Sequence, residues 1–336
     1  MHRISDPEMR NTVVELHTSS PLIDLHADTF SSVDVPENFL KSNSSKHIDL
    51  PRMLDIKFKG ELFSLFVHPS WGDGPKWREL ALAQLNIMEN TSTLSHGIFH
   101  IVTELDEVEE HAQKTNSVFS LVEIEGLHPL EGKIDSLIEF FARGVRVFTL
   151  TWNNSNDWAT SCMDSDAAFK GITEEGLQAV KTINELGGII DLSHSGERTF
   201  WDAMEKSDTP PICTHSCCKS LKDSSRNLTD VQIKAMIERQ GIIGINFYPG
   251  FLGAEKGKVK ISDIVRHIEH IIELGGEKVL ALGSDFDGVQ HLPSGMTNCG
   301  DLPFLTVELL ERGFSHEMIR GILGSNFMDY LRRIDF

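Results

Sequence analysis

Residues 21–28 read Pro21-Leu22-Ile23-Asp24-Leu25-His26-Ala27-Asp28, an apolar run of strand length that ends in a histidine and an aspartate two positions apart. In an extended chain, side chains i and i+2 lie on one side, so His26 and Asp28 project together from the end of a strand. A doubly wound open sheet, the competing α/β architecture, characteristically follows its first strand with a glycine-rich phosphate loop. Here the strand ends in His-Ala-Asp instead, which favours a closed barrel.

Seven further runs of this kind follow at Leu62–His68, Val118–Gly126, Val145–Trp152, Gly188–His194, Pro211–Ser216, Gly241–Phe247 and Val279–Asp285. They are rich in Val, Ile and Leu with little polar alternation, as expected of strands buried on both faces in a parallel sheet covered by helices. Between them lie segments with apolar residues every three or four positions. Leu80, Ala83 and Ile87 form one; Leu177, Val180, Ile183 and Leu186 form another, stopped by Gly187-Gly188. A third contains Ile264, Ile268, Ile271 and Ile272, with Ser262 as its expected N-cap and Gly275-Gly276 as its stop. The charged stretch Glu104–His111 reads as an exposed helix face. Eight strand and helix units predict an α/β fold of the (β/α)8 TIM-type barrel class, with the active site at the carboxyl ends of the strands. No repeat, low-complexity tract or linker divides the chain, so residues 1–336 are expected to form a single barrel domain.

Lys+Arg 31 against Asp+Glu 50 gives a net charge of -19, which repels phosphate backbones and anionic lipid; nucleic acid and membrane surfaces are excluded as expected partners. The first residues show no basic head followed by an apolar stretch, and no 18-residue apolar run occurs, so a soluble, cytoplasmic protein is expected. Five cysteines in no paired spacing point to reduced thiols. Cys213, Cys217 and Cys218 flank His215 without forming a zinc-binding pair.

In a barrel, side chains from the carboxyl ends of different strands converge on one mouth. The successive runs deliver His26 and Asp28, then Glu125, His194 and His215, and finally Asp285 and Asp287. Imidazoles and carboxylates crowded together need a positive counter-charge, and both are good ligands for zinc or another divalent metal. Three imidazoles and at least two carboxylates make a set of five donors without a thiolate, more than one catalytic zinc requires, so two metals bridged by a carboxylate are expected, as in two-metal hydrolytic sites. Taken singly, a histidine at a strand end is more often a hydrogen-bonded structural residue. The other histidines His68, His96, His100, His128, His291 and His316 gain no support as ligands, with His128 read as surface or supporting.

The segments IDLHAD, VEIEGLHPL, GVRVFTLTWNNSNDWA, GGIIDLSHSG, PPICTHSCCKSLKDSSRNLTD and GSDFDG, with the later GSN at Gly324–Asn326, resemble in order and spacing those of the renal-type membrane dipeptidases, a family of zinc peptidases. The resemblance implies two zinc ions, one held by His26 and Asp28, the other by His194 and His215, with Glu125 bridging and a shared hydroxide attacking the peptide bond of a dipeptide substrate. It implies that Arg226 holds the substrate carboxylate and that Asp285 handles protons near the substrate amino group; Asp287 would support the loop. A guanidinium fork suits bidentate carboxylate binding, although an arginine before Asn-Leu-Thr-Asp could equally pair with acidic residues at a helix start. L,D-dipeptides enter as a substrate class by resemblance, and barrels of this type often dimerise.

Two departures from the family pattern are plain. Trp152 stands in TLTWN where animal members have a histidine that contacts substrate; an indole donates one hydrogen bond and takes up no proton. Leu127 replaces a glycine after Glu125, a change that could narrow the mouth. Two alternative readings are a related amidohydrolase acting on another amide, lactone or amine, and a non-catalytic peptide-binding barrel. Against the first, the fourth run ends without the lysine that many such relatives use as a bridge.

Overall fold

The computed structural model describes residues 3–253 and 257–336. Among them, nine strands make one parallel sheet: β1 (Leu22–Ala27), β2 (Phe58–Phe66), β3 (Phe99–Ile101), β4 (Val118–Glu125), β5 (Val145–Thr149), β6 (Ile189–Asp191), β7 (Ile212–Ser216), β8 (Ile242–Ile245) and β9 (Leu280–Leu282). Eight of them close a ring. β1 pairs with both β2 and β9, β2 pairs with β4, and neighbours then follow in chain order from β4 to β9. With helices between and outside the strands, this is the expected (β/α)8 barrel. All eight apolar runs are present as its strands.

The boundaries differ for local reasons. β2 begins at Phe58, ahead of the Leu62 start, and Gly60 lets the Phe119 ring cross this stretch; a Cβ there would lie 2.2 Å from the ring. β5, β6 and β9 stop earlier than their runs, so Trp152, His194 and Asp285 lie on the loops just beyond them. His194 and Asp285 take left-handed backbone angles, φ 65 and 63, which end an extended strand. The ninth strand, β3, pairs with the first three residues of β4 outside the ring and is too short to leave a periodic signal.

The helix over the third periodic segment runs Ile261–Glu273, with Lys260 and not Ser262 as its cap. Asp263 Oδ2 accepts the Lys260 N–H at 2.9 Å, which sets the start two residues earlier. Glu174–Leu186 ends as expected at Gly187, φ 78.

Outward-facing residues such as Phe63, Leu65, Val122, Ile124, Phe148 and Ile243 pack against the helices. At the amino ends of the strands Ile23, Leu62, Phe119, Val147, Ile189 and Ile212 meet Phe327, Tyr330 and Leu331 of the C-terminal helix Asn326–Ile334. Asn326 of the GSN motif fixes that helix by donating to the Glu277 and Leu280 carbonyls, each at 2.9 Å. The floor of the barrel is thus apolar, and the polar side chains gather at the other end. No helix among the described residues is long and apolar enough to cross a membrane.

Candidate metal centre and substrate cleft

Glu125, the last residue of β4, is the point on which the predicted ligands converge. Its Oε1 lies 3.0 Å from His194 Nε2, 3.4 Å from His215 Nε2 and 3.8 Å from His26 Nε2. His26 Nε2 is in turn 3.6 Å from Asp28 Oδ2. Ligands at about 2.0–2.1 Å from a tetrahedral zinc stand roughly 3.3 Å apart, so these separations bracket what a cation would impose. His26, Glu125 and His215 offer donor atoms within 4.8 Å of one another, and so do His26, Asp28 and Asp285. The second set brings Asp285 within reach of a cation as well.

Each imidazole is fixed through its other nitrogen. His26 Nδ1 donates to Glu123 Oε2 at 2.8 Å. His194 Nδ1 faces the Asn153 side-chain oxygen at 2.9 Å. His215 Nδ1 meets Thr214 Oγ1 at 2.8 Å, and that hydroxyl donates onward to Asp191 Oδ2 at 2.9 Å, so it must accept from the ring. In all three rings the hydrogen belongs on Nδ1, which leaves the Nε2 lone pairs facing Glu125, the arrangement seen when a supporting acceptor orients a metal-binding histidine. His26 Nε2 and Glu125 Oε2 are buried without a hydrogen-bond partner, atoms that a cation would satisfy.

The electrostatics agree. Burial pushes Glu125 well above the usual carboxylate range, with Asp28 adding to it. Asp285 is raised to about 6 by burial, against the pull of His26. His194 and His215 are pushed well below their ordinary value, chiefly by burial, so both are neutral. Burial also opposes charge on His26, yet Glu123 and Glu125 outweigh it and raise its pKa. A carboxyl raised only to about 6, as on Asp285, is still mostly ionised at neutral pH, and a cation beside it would favour that form further.

The carboxylates are held too. Ser64 donates to Asp28 Oδ1, and Asn246 Nδ2 donates to Asp285 Oδ2 at 2.9 Å. Gly288 packs against both, since a Cβ there would fall 2.1 Å from Asp28 Oδ2 and 2.3 Å from Asp285 Oδ1. Asp287 accepts from Thr29 and from the His47 N–H, each at 2.7 Å, which makes it the loop support anticipated. Glu123, Asn153, Thr214, Ser64 and Asn246 were not anticipated. For Glu123 a signal existed, because it lies two positions before Glu125 and shares its side of the strand.

Arg226 is 6% exposed and does not pair with acids at the helix start. Its Nη2 donates to the His215 carbonyl at 3.1 Å, its plane lies 5.4 Å from the Phe251 ring, and its Nε has no partner. It lines a cleft of about 1250 Å³ together with Asp28, Glu125, Trp152, His194 and Asp285. Trp152 packs against Phe66 and His68, centroids 5.0 and 5.1 Å away, and lies 6.1 Å from His194. Leu127 turns into the core and is 1% exposed, so it does not narrow the mouth. His128 is also buried, its Nε2 2.8 Å from the Val67 carbonyl. All five thiols are free; Cys217 Sγ donates to the Asn246 carbonyl at 3.3 Å and takes no part in the centre.

A closed barrel with nitrogen and oxygen donors gathered at one end is the architecture of a metal-dependent hydrolase. Residues 10–336 match the family described as Membrane dipeptidase (Peptidase family M19), and the chain belongs to that family. It is a metal-dependent dipeptidase. An uncharacterized dipeptidase of Schizosaccharomyces pombe is 30% identical over 330 residues, covering 93% of this chain and 80% of that protein. A solved dipeptidase described as a metallopeptidase of family M19 is 27% identical with a TM-score of 0.88, covering 94% of this chain and 98% of its own. A metallopeptidase from Rhodobacter sphaeroides, solved with a phosphinate mimic of the dipeptide L-Ala-D-Ala, is 26% identical with a TM-score of 0.87, covering 94% and 99%.

Proposed function

We propose that the chain hydrolyses the peptide bond of dipeptides carrying a free amino group and a free carboxylate, at a centre where His26 and Asp28 hold one zinc ion, His194 and His215 a second, and Glu125 both. The observation that carries this reading is the convergence of three oriented Nε2 atoms on Glu125 Oε1. When bound, a zinc pair supplies Lewis acidity to the scissile carbonyl and lowers the pKa of the attacking water.

The remaining work belongs to side chains. Arg226, held on the His215 carbonyl and on Phe251, offers its unpartnered Nε and the rest of its fork to the substrate carboxylate. Asp285 has one oxygen fixed by Asn246; the other is free to take the proton of the attacking water and return it to the leaving amine. Asp28 and Asp285 also add negative charge to the lining of the cleft, which suits the substrate ammonium group. Trp152 borders the reacting centre as an apolar neighbour and, at most, a single hydrogen-bond donor. Tolerance of a D-residue at the carboxyl side is supported by the L-Ala-D-Ala mimic held by the Rhodobacter sphaeroides protein.

Hydrolysis of Ala-Ala dipeptides tests the reading. Chelation should abolish it and added zinc restore it; a folded, zinc-loaded preparation that cleaves no dipeptide contradicts it.

A further inference from the structure

The cleft of about 1250 Å³ exceeds the roughly 300–1,000 Å³ typical of small-ligand sites and is more than two alanine side chains need. Its lining is aromatic on two sides. Phe66, Trp71 and Trp152 stand over β2 and β5, while Tyr248 and Phe251 stand over β8. The first group is continuous, with Phe66 5.0 Å from Trp152 and 5.9 Å from Trp71 between ring centroids. It begins beside the metal centre, because Phe66 is the register partner of Glu125 across β2 and β4. It ends at the mouth, where Trp71 is 47% exposed.

On the reading above, the two ends of a dipeptide are fixed by Arg226, after β7, and by Asp28 and Asp285, after β1 and β9. The β2 to β5 wall faces β7, β8 and β9, the arc that carries Arg226 and Asp285, and borders β1, which carries Asp28. Successive side chains of an extended peptide point to opposite sides, so one of the two must face Phe66, Trp71 and Trp152. We infer that these three rings form a side-chain subsite, and that the chain hydrolyses dipeptides with a bulky apolar residue in preference to Ala-Ala. The subsite rests on the proposed function and adds to it the class of side chain accepted.

The test compares kcat/KM of the zinc-loaded enzyme for Ala-Ala, Phe-Ala and Ala-Phe. At least one phenylalanine peptide should exceed Ala-Ala by about tenfold or more, mainly through a lower KM, as filling an apolar pocket is expected to do. Trp71→Ala and Trp152→Leu should each pull that ratio back toward one. Phe169→Ala, at a ring 85% exposed, should leave it unchanged. As a second readout, a phosphinate mimic of the preferred phenylalanine peptide should bind tighter than the L-Ala-D-Ala mimic and shift tryptophan emission, with the shift reduced by Trp152→Leu. Phenylalanine peptides cleaved no faster than Ala-Ala, or cleaved faster once a tryptophan is removed, would overturn the subsite and leave dipeptide hydrolysis standing. Failure to cleave any dipeptide or bind either mimic would remove both.

Discussion

His194 and His215 present their Nε2 atoms to each other at 3.0 Å, each on a neutral ring whose hydrogen is committed through Nδ1 to Asn153 or Thr214. Two lone pairs at this distance repel unless a cation lies between them and the nearby Glu125 carboxylate. Metal binding should therefore stabilise the fold. With free zinc about 1,000-fold above its dissociation constant, linkage gives about 4 kcal/mol per site, and for a chain of this length chelation should lower Tm by roughly 5 °C or more. Differential scanning calorimetry with chelator and after zinc addition measures this; an unchanged Tm contradicts it.

Arg226→Lys keeps the charge and removes the fork. Loss of bidentate carboxylate binding should raise KM for dipeptides about 10- to 100-fold, with a smaller change in kcat. Steady-state kinetics check the split. An equal fall in kcat would show that the Arg226 contact with the His215 carbonyl dominates instead.

Gly288→Ala should disable the centre without unfolding the barrel. The new methyl would lie 2.1 Å from Asp28 Oδ2 and 2.3 Å from Asp285 Oδ1, and both carboxylates are tied in place by Ser64 and Asn246. Activity should fall about 100-fold or more and zinc content should drop, with the far-UV circular dichroism unchanged.

His267 links the site loops to the helix Ile261–Glu273: its Nδ1 accepts the Cys218 N–H at 3.0 Å, and its Nε2 donates to the Leu252 carbonyl at 3.1 Å. Burial lowers its pKa from 6.5 to about 4. The unfolded chain then binds the proton first as pH falls, so the stabilising contribution is complete above pH 6.5 and lost on the way down to about 4. At pH 5 the loss is about 2 kcal/mol. His267→Gln, which can keep both hydrogen bonds, should lose less stability between pH 7 and pH 5 than the parent chain, as read from urea midpoints.

The eight apolar runs were legible because strands buried on both faces leave no polar alternation, and His26, Asp28, Glu125, His194 and His215 because each lies at or just past the carboxyl end of such a run. Glu123 was legible by the same two-residue spacing. The supports of His194 and His215 were not, because Asn153 reaches the His194 ring, and Asp191 the Thr214 hydroxyl that holds His215, only once β5, β6 and β7 lie side by side. Ser262 misled as a cap because Asp263 competes for the same turn and engages Lys260. The aromatic wall joins Phe66 and Trp71 to Trp152, about eighty positions apart in the chain, and no local pattern announces it.

The account rests most directly on the metal count. Elemental analysis of the purified chain should give close to two zinc ions per polypeptide, and Glu125→Gln should lower that number while the barrel remains folded. A value near zero in catalytically active protein, or an undiminished content in Glu125→Gln, would contradict it.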